Sequence, residues 1–89
     1  MRKTNLQDAL ESLPKLGETD GKEKTRSVEI LTINMWAYEV WEAEEEPNGD
    51  WMMFGKVHGF ETEIGYFSLS QIAPHIIMWQ PLFGSEASA

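Results

Sequence analysis

His58 and His75 are the only histidines in this 89-residue chain, so acid–base chemistry at neutral pH would have to start from one of them. His58 precedes Glu61 and Glu63 across the segment Gly59-Phe60-Glu61, which reads as a tight turn. A histidine and a carboxylate facing each other across such a hairpin can act as a general-base pair or begin a metal site. Two further ligands for His58, Glu61 and Glu63 are not identifiable, and a surface hydrogen bond is the plainer reading. Ser68 and Ser70 flank Leu69 without a nucleophile elbow or a suitably spaced histidine, and helix capping accounts for them. Gly55, Gly59 and Gly65 lie among apolar residues with no Lys-Ser or Lys-Thr after them, which fits strand packing or bulges and not a phosphate loop. No catalytic residue and no cofactor is called for by these patterns.

Charge is the stronger signal. Residues 1–26 hold six of the seven Lys and Arg against five acids, a net of +1, whereas residues 27–89 hold Lys56 against ten acids, a net of −9. Such a surface repels phosphate backbones, so direct DNA or RNA binding is disfavoured and a basic or nucleic-acid-binding protein partner is suited. Solubility alone is the ordinary explanation of the same excess. There are no cysteines, which removes disulfides and thiolate zinc sites, and no apolar run approaches the roughly 20 residues that span a bilayer. A membrane is therefore not expected as a partner, and a reducing cytoplasm is the expected compartment.

The elements that must position these residues follow from the pattern. Thr4–Leu13 reads as a helix, with Thr4 and Gln7 spaced as a capping box, Leu6, Leu10 and Leu13 on one face, and Pro14 as its end. Residues 17–27, GETDGKEKTRS, have the composition of a flexible connector. Val28–Met35 and Trp36–Ala43 read as strands, joined as a hairpin in preference to one long bent strand. In the second, Trp36, Tyr38 and Val40 fall on one side and Ala37, Glu39, Trp41 and Ala43 on the other. Glu44–Asp50 is a loop, because three carboxylates repel, Pro47 lacks a donor and Asn48-Gly49 favours positive φ. Trp51–His58 and Thr62–Leu69 form the next hairpin, and Ser68 or Ser70 caps a helical turn over Gln71–Ala73 that Pro74 ends. His75–Phe83 is a last strand or a packed tail, and Gly84–Ala89 is expected to fray.

One small domain over residues 1–89 follows. Its expected class is α+β: an antiparallel sheet of three to five strands, a short N-terminal helix and a short helical turn after the last hairpin. Four Trp, four Phe, two Tyr and five Met are more large apolar side chains than one face of a small sheet hides easily. Either the helix and tail cover the second face, or Trp41, Trp51 and Met53 stay exposed as an interface ringed by Glu42, Glu44, Glu45, Glu46 and Asp50.

The stretches FGKVHGFE (54–61) and EIGYFSL (63–69) resemble the family called domain of unknown function 2958, which carries Phe-Gly-x-Val-x-Gly followed by Glu-Leu-Gly-Tyr-Phe-Ser-Leu and a short helix. Leu13-Pro14-Lys15-Leu16 resembles its Leu-Pro-Pro-Leu opening, and Tyr38–Glu42 can be laid on its Trp-Tyr-x-x-Glu segment. The run from Pro74 into HIIMWQPLF departs from the longer helix and acidic strand of that family. The resemblance implies a small bacterial or phage protein, often carried on mobile elements, and transfers no catalytic residue.

The function expected from these readings is a non-enzymatic protein-interaction module of a mobile element or phage. In its most concrete form it is an acidic inhibitor of a nucleic-acid-binding host defence complex, anti-CRISPR or anti-restriction. The alternatives are a small-molecule or metal-binding domain using His58, Glu61 and Glu63, and a homodimer that pairs exposed strand edges.

Overall fold

The computed structural model describes residues 5–83. Asn5–Glu11 form helix α1, whose Leu10 is fully buried, with Leu6 and the following Leu13 packed on the same core. The helix stops two residues before the expected Leu13: the Ser12 and Leu13 amides bond the Ala9 and Leu10 carbonyls at 3.2 and 3.1 Å, a tightened last turn before Pro14. Thr4, the expected capping residue, and the expected fraying at Gly84–Ala89 lie outside the described residues.

The strands are β1 (Arg26–Thr32), β2 (Ala37–Glu45), β3 (Trp51–His58), β4 (Thr62–Ser68) and β5 (Ile76–Phe83). Helix α2 (Leu69–Ile72) and a 3-10 turn (Ala73–His75) join β4 to β5. All five form one sheet in the order β4-β3-β2-β1-β5, with every neighbouring pair antiparallel. This is the expected α+β class, at the upper end of its strand range. The C-terminal segment is thus a strand; it pairs with β1 at the edge opposite β4, a place that suits Pro81 because an edge can spare one ladder donor.

β1 and β2 form the hairpin. The Thr32 amide bonds the Trp36 carbonyl at 3.0 Å and the Met35 amide bonds the Thr32 carbonyl at 2.9 Å, with Met35 at φ 68°. The acidic loop is shorter than expected, because the ladder with β3 carries β2 through Glu45; the Glu46 amide then bonds the Asp50 carbonyl at 2.8 Å to close the turn. Residues 17–27 also depart from a free connector. Gly17 and Thr19 are bonded to the Glu42 carboxylate, and Arg26 and Ser27 already belong to β1.

One face of the sheet carries Val28, Ile30, Val40, Ala43, Trp51 and Met53, which close over Leu10, Leu13, Leu69 and Ile72 as the hydrophobic core. The expected alternation along β2 fails at one point. Val40 pairs with Gly55 and Glu42 with Phe54, so Trp41 is the extra residue of a β-bulge. The bulge resets the period of two, moving Ala43 to the core beside Val40 and leaving Glu42 on the other side.

Candidate functional site

Among the described residues, no helix lies over the face of the sheet away from α1. Its centre is a row of three aromatic rings on successive strands: Trp41 from the bulge of β2, Phe54 of β3 and Tyr66 of β4. The Trp41 and Phe54 ring centroids are 6.0 Å apart, and those of Phe54 and Tyr66, which are register partners, 4.9 Å apart. Tyr66 is 67% exposed and its neighbour Ile64 60%. The Trp41 indole N–H donates to Glu39 Oε2 at 2.6 Å, and the ammonium groups of Lys24 and Lys56 lie 5.8 and 5.9 Å from the ring centre. Trp41 is therefore held among charged groups, one carboxylate and two ammonium groups.

Beside it, β1, β2 and β5 form a groove of 270 Å³ whose lining includes Leu31, Ala37 and Met78 with Glu29, Glu39 and His58. Glu29 and Glu39 are direct register partners on adjacent strands, an arrangement that like charges disfavour unless something offsets them. Each has one neutral donor, Gln80 Nε2 at 3.0 Å for Glu29 and the Trp41 indole for Glu39.

One end of the open face is closed by residues 15–24. There Glu42, only 1% exposed, accepts the Gly17 amide at 2.8 Å, the Thr19 amide at 2.9 Å and the Thr19 hydroxyl, with the Lys24 ammonium 3.9 Å away. Burial pushes its carboxyl upward, but the Thr19 hydroxyl, the two amides and Lys24 together hold it below the ordinary carboxylate value. Glu42 is thus an anchor for the turns, not a contact residue.

The interface residues expected from the sequence do not come together. Trp51 and Met53 are core residues, 3% and 0% exposed, because they share the helix-covered face with Val40 and Ala43. Glu44 and Glu45 are exposed at the end of β2, and Glu46 opens the turn that follows. Asp50 is occupied, receiving the Ser70 amide at 3.0 Å, the Ser70 hydroxyl at 2.7 Å and the Trp51 amide at 2.7 Å. Its carboxyl lies below its ordinary value, chiefly through the Ser70 hydroxyl. Of the expected aromatic patch, Trp41 alone lies on the open face, half-buried. Phe54, Ile64, Tyr66, Glu29 and Glu39 were missed; Phe54 and Lys56 at a spacing of two signalled a second strand face, but the bulge at Trp41 that sets Glu42 opposite Phe54 has no mark in the sequence.

The other expected site is also dispersed. His58 pairs with Thr62 on the open face, its Nδ1 3.4 Å from the Thr62 hydroxyl, while Glu63 pairs with Val57 on the opposite face. Glu61 lies in the turn, its carbonyl accepting the Gly59 amide at 3.2 Å. The strand period of two separates these side chains, and among the described residues no group of three or more His, Asp or Glu could hold a metal. Among the same residues no helix is long and apolar enough to cross a membrane. No family model, no curated protein and no solved structure matches this chain.

Proposed function

We propose that this domain is a non-enzymatic protein-interaction module that receives a basic partner on the open face of its sheet. The observation that carries the reading is the aromatic row of half-buried Trp41 and Phe54 and exposed Tyr66 beside a groove bordered by Glu29 and Glu39, in a chain of net charge −8. Scattered exposed apolar residues are ordinary, whereas a contiguous apolar patch with a charged rim marks a docking surface. Aromatic rings supply contact area at small entropic cost, and the carboxylates steer and orient a positively charged partner.

A lysine or arginine of the partner fits the groove chemically. Its methylene stem would lie along Leu31, Ala37 and Met78, with its head group at the two carboxylates. Nucleic-acid-binding proteins present such cations densely. Inhibition of a nucleic-acid-binding host defence complex is the most specific form of the proposal, and its support is the charge balance together with this groove.

The test is affinity capture from nuclease-treated bacterial lysate with the native protein, Glu29→Lys and Met78→Ser, at low and high salt, the retained proteins being identified by mass spectrometry. Basic proteins held by the native chain at low salt and lost with either variant or with salt are the expected result. Equal retention by all three chains would remove the open face from the reading.

A further inference from the structure

We propose that strand β4 is a self-pairing edge, and that two copies of this chain join antiparallel through it, centred on Gly65, into one continuous ten-stranded sheet. This inference does not rest on the partner proposed for the open face, although the two share Tyr66.

β4 is the outer strand of the sheet, and among the described residues no strand pairs with its far side. Exposed edges are ordinarily blunted by lysine, proline or a bulge. β5, at the other edge, contains Pro81 and shows a register shift against β1 between Leu31 and Thr32. β4, Thr62-Glu63-Ile64-Gly65-Tyr66-Phe67-Ser68, contains no lysine, arginine or proline and pairs with β3 in unbroken register over all seven residues. It is a straight edge with a full set of outward backbone donors and acceptors.

The side chains select the register. Antiparallel pairing about a two-fold axis through the middle residue, Gly65, places Ile64 opposite Tyr66 of the second copy, Glu63 opposite Phe67 and Thr62 opposite Ser68. On the open face the two most exposed apolar groups of the strand, Ile64 and Tyr66, cover each other, a favoured aromatic and β-branched cross-strand pair. The only charged residue of β4 is Glu63. In this register the two Glu63 are offset by four residues along the strands, about 14 Å, beyond the screening length of about 10 Å at 0.1 M salt. A register centred on Glu63 would instead set the two carboxylates face to face. At the axis Gly65 carries no side chain, and a Cβ built there meets nothing of its own chain within 4 Å, so a cysteine can replace it without a clash inside one copy.

The resulting axis stands perpendicular to the sheet, so both open faces look the same way and the two aromatic rows meet. Each copy carries a net charge of −8, which opposes association. Pairing should therefore strengthen as salt rises, the reverse of the dependence expected for a basic partner.

The experiment uses the absence of cysteine in the native chain. Sedimentation equilibrium of the native protein across a concentration series at low and high salt should show a monomer–dimer equilibrium that shifts toward dimer with salt. Under mild oxidation Gly65→Cys should give a disulfide-linked dimer, whereas Thr62→Cys, whose copies would lie about 20 Å apart along the paired strands, should link at least tenfold more slowly. The double change Ile64→Lys and Tyr66→Lys, on exposed positions, should leave the circular dichroism spectrum native and the mass monomeric. A native chain that stays monomeric over the whole series at high salt overturns the proposal. So does a dimer that survives the double lysine change, or one in which Thr62→Cys links as fast as Gly65→Cys.

Discussion

Gly55 approaches the backbone of Glu39 so closely that a Cβ built on it would stand 2.0 Å from the Glu39 carbonyl oxygen and 2.9 Å from its carbon. Both obstacles are main-chain atoms beside the bulge at Trp41, so neither can swing away as a side-chain end could. Gly55→Ala is expected to destabilise the domain by about 1–3 kcal/mol in denaturant unfolding and to disturb the Trp41 fluorescence, because the bulge must open. Gly65→Ala, with nothing within 4 Å, is the matched change expected to be near neutral.

Met35 holds a left-handed backbone at φ 68° in the turn between β1 and β2, and its side chain is exposed. The conformation costs an L-residue about 1–2 kcal/mol, and glycine adopts it freely at an unfolded-state entropy cost of about 0.5–1 kcal/mol. Met35→Gly should therefore raise the unfolding free energy by up to about 1 kcal/mol. A lower denaturation midpoint would show that the Met35 side chain contributes packing that its exposure hides.

Glu42 makes stability depend on acid. Its folded carboxyl lies below the ordinary 4.5, so on acidification the unfolded chain takes up this proton first. The contribution is full above about pH 4.5 and is lost as the pH falls through the lower folded value. Glu42→Gln should cost about 1–3 kcal/mol at pH 7 and flatten the acid limb of the stability curve, read from urea melts between pH 3 and pH 7. An unchanged acid limb would assign that dependence to other carboxylates, Asp50 first.

Asp50 joins the β2–β3 turn to the start of α2 through Ser70. Asp50→Ala should speed hydrogen exchange at the Ser70 amide while leaving amides in the middle of β1 and β2 unchanged. Equal protection in the variant would show that burial of Leu69 and Ile72 alone holds the short helix.

What the sequence by itself determined was the fold class and the elements up to α2, while residues 75–83 stayed open between a strand and a packed tail. The apolar runs at 51–58 and 62–69, the Gly59-Phe60-Glu61 turn between them, the leucine spacing of α1 and a serine cap at Ser68 or Ser70 are local signals, set by residue type and backbone φ. Charge was equally legible, since it needs no coordinates. Four things only the tertiary structure decided. The bulge at Trp41 shows only in the pairing of β2 with β3, and it moved Ala43 into the core and Glu42 to the opposite side. Residues 17–27 look featureless in sequence because their anchor, the Glu42 carboxylate, lies more than twenty residues away. Trp51 and Trp41 are both tryptophans bordering an acidic stretch, yet one is core and the other open, because the register against β3 assigns them opposite faces. The placement of β5 beside β1, which leaves β4 as the outer strand among the described residues, depends on the chain crossing the sheet through α2. Local pattern sets which residues can share a face; pairing between distant strands sets which face is covered, and so where a partner can bind.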